Sequence, residues 1–500
     1  MDLEEEEALE NLILLPYEAF FSRPLACLPV PAVTVDGTLS AADGEADDGV
    51  DRISALPDDL RRRIFSRLPV KDAVRTTALS TRWRRVWHTT PLVLYDKHLD
   101  PARVTAVDRV LVGHPGPFDT VHLALFFFDE HERELGRWSR LLADRGVRDL
   151  ALVSLPGPTD LVRLPADILR CAELEHLYLG CWMFPETADL PDGTGVFPHL
   201  RKLAMVCTLF KDRDLDHMLA SSPVLEILAL FGSMGKAKHV RLRGHKLQCV
   251  LFLESTAFEL AVVDAPRLER LIMWETSAPP DGDGSPMDVK ITEGASALKV
   301  LGYLEMGAHK LQIGNSVIKA GTNVSPRSMV PSVNISALKV NLGVFKEIQM
   351  LVNFLRCFPN IETLHVESAR ADEPTGNNYI EFFEELRPIE CVQSHIKMVV
   401  LHEIYGDLSE VTFIKYMTQR ANELKKMTLV LSDKRTTVGE MIYVVKTLAI
   451  PPLASETCMV LLTAPKAEHG LNFHRASELS IEDPFLEHGQ ELFRFIKEGE

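Results

Sequence analysis

The chain has 500 residues, 46% of them hydrophobic and 25% charged, with a formal net charge of −17 and a pI near 5.5. That is globular composition with enough chain for more than one core. An acidic chain is a poor general binder of DNA or RNA, whose phosphates need clustered Lys and Arg, so no nucleic-acid partner is expected.

Part of the acidity lies at the start. Between Met1 and Val50 the only basic residue is Arg23. A segment so acidic and so weakly periodic cannot offset its ordering entropy, and residues 1–50 are expected to be a disordered tail. Its apolar stretches, Asn11 to Leu15 and Phe20-Phe21, are alternatively a short docking helix. The acidic start is unlike a secretory signal, and runs such as Leu123 to Phe128 are too short for a bilayer, which takes about 20 residues. No membrane association is expected, and the chain is expected in the cytoplasm, the nucleus or both. Eight scattered cysteines without C-x-x-C spacing fit that reading as buried thiols.

Residues 51–95 read as a compact trio of helices. Pro57 suits a helix start, and Asp58 and Asp59 follow where carboxylates favour the positive end. Leu60, Ile64 and Leu68 repeat at helical spacing, and Pro69 stops that run. A second short helix fits Lys71 to Ala78. Ser80 can cap a third, in which Trp83, Val86 and Trp87 share a face. A unit of this size rarely shelters its own apolar residues, so a partner or a neighbouring domain must cover them. Arg61, Arg62 and Arg63, with Arg82, Arg84 and Arg85, fall between the apolar positions and read as solvated faces.

The pieces Leu56-Pro57-Asp58-Asp59-Leu60, Ile64-Phe65, Leu68-Pro69-Val70-Lys71-Asp72-Ala73 and Leu79-Ser80, with Arg82-Trp83-Arg84 and Trp87, resemble an F-box in order and spacing. The resemblance implies a Skp-type adaptor as partner and, through it, a cullin. Carried across, it implies an adaptor-binding face made of Leu56, Pro57, Ile64, Leu68, Pro69, Val70, Leu79 and Trp83, with Trp87 closing the module's own core.

From Phe118 onward one template recurs: apolar-x-x-apolar-x-apolar. It occurs as Phe118/Val121/Leu123, Leu174/Leu177/Leu179, Leu225/Leu228/Leu230, Leu298/Leu301/Tyr303, Ile361/Leu364/Val366 and in further copies. Pro198, Pro223, Pro266 and Pro359 each stand two residues before a copy, where proline ends a helix and sets up extended geometry. Helical patterns precede several copies, as with Leu215, Met218 and Leu219. The expected unit is helix, turn, strand, the unit of a solenoid. The fold class is therefore α/β: a small N-terminal helical module and then an irregular, curved leucine-rich-repeat solenoid over 96–345. The usual Asn after each strand is missing, with Cys181 and Cys207 one position short of it. Residues 346–465, with Phe354 to Leu364, Ile396 to Leu401 and Phe413 to Leu431, resemble the FBD region of plant F-box/LRR proteins. Residues 466–500 read as a second acidic tail.

Few residues are spaced for chemistry. His131-Glu132 lacks the second histidine of a zinc-protease motif, and no phosphate loop or nucleophile elbow occurs. No enzyme activity, metal or cofactor is expected. The resemblance implies a substrate-recognition subunit of a ubiquitin ligase that acts by proximity. A non-degradative repeat scaffold is the alternative. Side chains between the inward apolar positions line the opposite wall of the strands, and Tyr178, Phe231, Arg270 and Trp274 are the candidates there for binding an unknown target protein.

Overall fold

The computed structural model describes residues 25–29, 55–99, 103–155, 161–189, 195–233, 238–280, 282–292, 295–321, 329–369, 378–432, 453–464, 471–486 and 491–495. The apolar stretches Asn11 to Leu15 and Phe20-Phe21 lie outside them. The chain forms two units, Met1–Leu225 and Glu226–Glu500.

In the first unit, three short helices lead: α1 (Asp58–Phe65), α2 (Val70–Thr76) and α3 (Thr81–Thr89). Pro57 and Pro69 stand at the N-caps of α1 and α2, and the Ser80 hydroxyl caps α3 by accepting the Trp83 N–H at 3.3 Å. The sheet follows: β1 (Leu92–Tyr95), β2 (Phe118–Phe126), β3 (Asp149–Ser154), β4 (His176–Gly180) and β5 (Lys202–Val206), all parallel and each paired with the next. Helices α4 (Arg103–Gly113), α5 (Glu132–Asp144) and α6 (Asp212–Ala220) lie between strands. The second and third apolar positions of these copies are in register. Val121 pairs with Leu150, Leu150 with Leu177 and Leu177 with Leu203, and all are buried.

The second unit runs β6 (Ile227–Phe231), β7 (His239–Arg243), β8 (Cys249–Leu253), β9 (Glu259–Asp264), β10 (Arg270–Trp274), β11 (Met287–Ile291), β12 (Val300–Glu305), β13 (His309–Ile313), β14 (Ser316–Ile318) and β15 (Ile335–Val340). Then come α7 (Phe345–Cys357), β16 (Thr363–Ser368), α8 (Asn378–Glu385), α9 (Glu390–Ser394), β17 (Met398–Ile404), α10 (Leu408–Arg420), β18 (Lys426–Leu431), β19 (Met459–Thr463), α11 (Phe473–Ser477) and β20 (Glu491–Phe495). The repeat strands pair in the order β6-β8-β10-β12-β15-β16-β17-β18-β19, all parallel, and β20 joins β19 antiparallel.

The expected helix–turn–strand unit fails between β6 and β15. There the chain returns through strands β7, β9, β11 and β13, which form a second sheet with β14. The reason is local. His239-Val240-Arg241-Leu242-Arg243 and Met287-Asp288-Val289-Lys290-Ile291 alternate with period two, burying Val240, Leu242, Val289 and Ile291. Farther on, α7 and α10 form where the helical spacing places them. Helix α10 is fixed at its start by a capping box, with Glu410 accepting the Asp407 N–H at 2.9 Å.

One repeat departs from its expected register. Between β12 and β15 the pairing shifts after Leu301, so that Leu304 opposite Leu338 takes the third inward place and Tyr303 does not. Gly302 allows this crossing, since a Cβ there would come within 2.6 Å of the Ala337 Cβ. The stretch after 465 also differs from a tail. Residues 471–486 lie against the repeat strands, and β20 extends the sheet.

Candidate functional site

Two surfaces bear on function: the outside of the three-helix module and the inner wall of the repeat strands.

The module has a small core of Phe65, Ala73, Trp83 and Val86, with Leu68 and Trp87 packed partly against it. Phe65 meets the Trp83 ring edge-on at 5.4 Å. Trp83 is 6% exposed and Val70 2%, so both are placed away from the outer face, a correction to the sequence reading. The physical cause differs for each. Trp83 is the largest side chain available to fill a core this small. Val70 opens α2, and α2 packs on β1 and the following turn, Asp96–Leu99. Trp87 sits beside the core and reaches His114 at the end of α4, ring centres 4.7 Å apart. One flank of the module is thus covered by its own unit.

Elsewhere on the module, among the described residues, apolar side chains stand open. Leu60, Ile64, Val74 and Leu79 are 44, 37, 43 and 70% exposed, and Pro57 is exposed beside them in sequence. Leu60 and Ile64 are four apart on α1 and therefore share a face. Leu56, Leu68 and Pro69 are half-buried. Large apolar side chains left in water at this density mark an interaction surface. Leu60 and Val74 belong to it and were missed. Their signal was present, since each sits on a short helix with no room inside for it.

Arg61 was missed for the opposite reason. It reads as a solvated cation in a run of three, yet it is fully buried. Its Nε donates to the Leu56 carbonyl at 2.8 Å, and it pairs with Asp58 at 3.2 Å. It ties the turn carrying Leu56 and Pro57 to the core.

On the inner wall of the first unit, Asp149 bridges two histidines. His122 Nε2 lies 2.9 Å from one carboxylate oxygen and His176 Nδ1 3.1 Å from the other. Burial opposes the charge on Asp149, but the two histidine hydrogen bonds outweigh it and hold the carboxyl far below its usual range. Tyr178 is buried. Burial, and then the nearby Cys27, Cys181 and Cys207 thiols, push its hydroxyl pKa up.

On the inner wall of the second unit, Phe231 and Arg270 are buried and Trp274 half-buried. These positions, with Tyr178, are therefore not an open target surface, which corrects the sequence reading. For Arg270 the cover is residues 471–486. The Arg270 guanidinium donates to the carbonyls of Ala476 at 3.2 Å and Glu478 at 3.0 Å, and also to those of Leu479 and Ile481.

The strand ends share a second regularity. Cys181, Cys207, Glu254 and Glu275, each one residue past its strand, have φ of 61, 49, 45 and 47°, and Gly232 follows suit at 64°. The next residues are Trp182, Thr208, Ser233, Ser255 and Thr276, all buried. They occupy the position where the repeat pattern usually has Asn. Ser255 accepts the Ser233 N–H at 3.0 Å and donates to the Leu253 carbonyl at 2.7 Å. Thr208 donates to the Val206 carbonyl at 3.1 Å. Four of these five repeats thus carry a hydroxyl at the asparagine position, and those of Thr208 and Ser255 satisfy backbone groups.

Burial pushes the thiols of Cys171, Cys249, Cys357 and Cys391 up to about 12, so they carry no thiolate at neutral pH. Among the described residues no group of three or more His, Cys, Asp or Glu is placed to hold a metal ion. No described helix is long and apolar enough to cross a membrane.

Comparison with known proteins decides the family. F-box/LRR-repeat protein At3g26922 of Arabidopsis thaliana is 31% identical over 240 residues, covering 47% of this chain and 69% of that protein. The chain belongs to the F-box/LRR-repeat family. Within this F-box/LRR-repeat protein, the F-box domain model matches residues 53–94 and the FBD model residues 384–429. The model described as FBD-associated F-box protein At5g56370, LRR repeats, matches residues 135–366. Two longer matches from Arabidopsis thaliana span more of the chain. F-box/LRR-repeat protein 13 is 26% identical, covering 83% of this chain and 97% of that protein. F-box/FBD/LRR-repeat protein At1g13570 is 24% identical, covering 81% and 97%. The open flank of helices described above therefore lies within the F-box, a domain that generally binds Skp1-type adaptors.

Proposed function

We propose that this F-box/LRR-repeat protein is the substrate-recognition subunit of an SCF-type ubiquitin ligase. The F-box docks a Skp-type adaptor and through it a cullin, and the repeats with the FBD region hold a target protein. The observation that carries this reading is the open apolar flank of Leu60, Ile64, Val74 and Leu79, beside a module whose other flank is already covered. Apolar anchors of this kind dominate binding when a partner desolvates them. The chain's part in ubiquitin transfer is proximity: it raises the concentration of the target near the transfer machinery without itself reacting. The buried, protonated thiols support that part and also a reducing compartment, the cytoplasm or nucleus.

The test is capture of a co-expressed Skp-type adaptor and cullin by the full chain and by the Ile64→Asp/Leu79→Asp variant. The wild type is expected to recover both, and the variant at least about tenfold less, the equivalent of roughly 1.4 kcal/mol. Equal recovery by both, or none by either, overturns the proposal. Stable levels of every captured partner after depletion of the protein favour the non-degradative scaffold instead.

A further inference from the structure

Residues 471–486 cross the inner wall of the second unit as a strap, and how they are held is unusual. Arg270, buried on β10, spends its guanidinium on four main-chain carbonyls of the strap, those of Ala476, Glu478, Leu479 and Ile481. Cys249 on β8 adds a thiol contact to the Ala476 carbonyl at 3.7 Å. None of these contacts reads a side chain, so any chain in the same path can supply them.

Side chains are read at the far end. Asp483 Oδ2 lies 3.0 Å from His365 Nε2 on β16, and the other ring nitrogen of His365 faces His402 Nε2 of β17 at 3.3 Å. Phe485 sits edge-on to Tyr303 at 5.2 Å and packs on the His365 ring at 5.5 Å. Tyr303 in turn meets Trp274 edge-on at 4.6 Å. An aromatic pocket and a histidine thus stand where they can recognise a carboxylate two residues before an aromatic ring.

The strap itself is lightly held. Of its residues only Ala476, Pro484 and Phe485 are buried, while Leu471, Phe473, Leu479 and Ile481 are half-exposed. Segments with few buried apolar contacts open at low cost.

We propose that the inner wall of the second unit is a peptide-binding site, occupied in cis by residues 471–486, where a target offering an acidic residue two positions before an aromatic one in an irregular or extended stretch binds by replacing the strap. This deepens, and rests on, the reading that the repeats hold a target. The strap then acts as a built-in competitor at the millimolar effective concentration typical of a short tether.

The probe is a fluorescent peptide with the sequence of residues 471–486. It is titrated into the full-length wild type, the Asp483→Ala/Phe485→Ala variant and the milder Asp483→Asn variant. The double variant is expected to bind it at least about tenfold more tightly than the wild type, and D483N by an intermediate factor. A peptide carrying the same two alanines is expected to lose that binding. Equal, weak uptake by folded wild type and D483N overturns the proposal, even if the double variant does not fold. Equal binding of the alanine peptide does so too. Adaptor capture is read on the same preparations. Normal capture without peptide uptake sinks this inference alone, and peptide uptake without capture sinks the ligase reading alone.

Discussion

The Arg61 guanidinium carbon lies 5.6 Å from the centre of the Trp83 ring, and both side chains are buried. A cation placed over an indole is attracted to its face, and here it also donates to the Leu56 carbonyl. The cation therefore joins the core to the turn that presents Leu56 and Pro57. Replacing it leaves a buried carbonyl unpaired and an indole unsupported. Arg61→Ala is expected to cost about 2–3 kcal/mol in urea unfolding followed by tryptophan fluorescence. Arg61→Lys is expected to fall between, because an ammonium lacks the planar fork that stacks and donates together. A loss below about 0.5 kcal/mol for Arg61→Ala places this contact among the neutral surface ones.

Folding and docking separate on the same module. Trp83 is core, and Trp83→Ala is expected to cost about 3–5 kcal/mol, typical of a large aromatic removed from a packed site. Leu79 is the most exposed large apolar side chain among the described residues, at 70%. Leu79→Asp is expected to change stability by no more than about 0.5 kcal/mol and still to weaken adaptor capture. Loss of capture by Leu79→Asp only in step with loss of fold shows that the open flank has no docking role.

Periodicity made the helices and most strands legible, because each buries one face. The Ser80 cap was local and readable for the same reason, whereas Pro69, read as the stop of the first helix, stands at the N-cap of the second. Part of what escaped depended on partners distant in sequence. Arg61 looks solvated until Trp83 folds over it. Tyr303 fits the third apolar place until the shift opposite Leu338 gives that place to Leu304. Arg270 looks like an open-wall anchor until a segment about two hundred residues later crosses it, with the Arg270–Ala476 contact spanning 206 positions. Ser233, Ser255 and Thr276 carried a readable signal, a small hydroxyl at the Asn position.

Ser255 gives a direct test of that position. Ser255 is buried and serves both as acceptor for the Ser233 N–H and as donor to the Leu253 carbonyl. Ser255→Ala strands a buried backbone donor, and the expected cost is about 1–3 kcal/mol in urea unfolding. Ser255→Thr keeps the hydroxyl and is expected to retain most of the stability. Equal losses from the two changes assign the cost to packing and not to the hydrogen bonds.

His309 sets an acid limit on the second unit. Its Nε2 is 2.9 Å from the Thr276 carbonyl and its Nδ1 accepts the Glu305 N–H at 2.9 Å, an arrangement that only the neutral ring satisfies. Burial lowers its pKa to about 4 from an ordinary 6.5. Between those values the unfolded chain binds a proton that the folded chain refuses. Stability therefore rises with pH across that window and is lost as the pH falls through it, by up to about 3 kcal/mol for a shift of this size. His114, also buried and lowered to about 4, adds in the same direction. Glu367 opposes them. Burial raises its carboxyl to about 7 from an ordinary 4.5, so the folded chain holds a proton there, and that stabilisation is lost as the pH rises toward 7. Urea midpoints measured from pH 4 to 8 are expected to show a smaller acid-side fall in His309→Gln than in the wild type. Glu367→Gln is expected to show a steeper rise with pH between about 4.5 and 7, because the opposing group is gone. An unchanged acid-side fall in a folded His309→Gln protein removes His309 as its source.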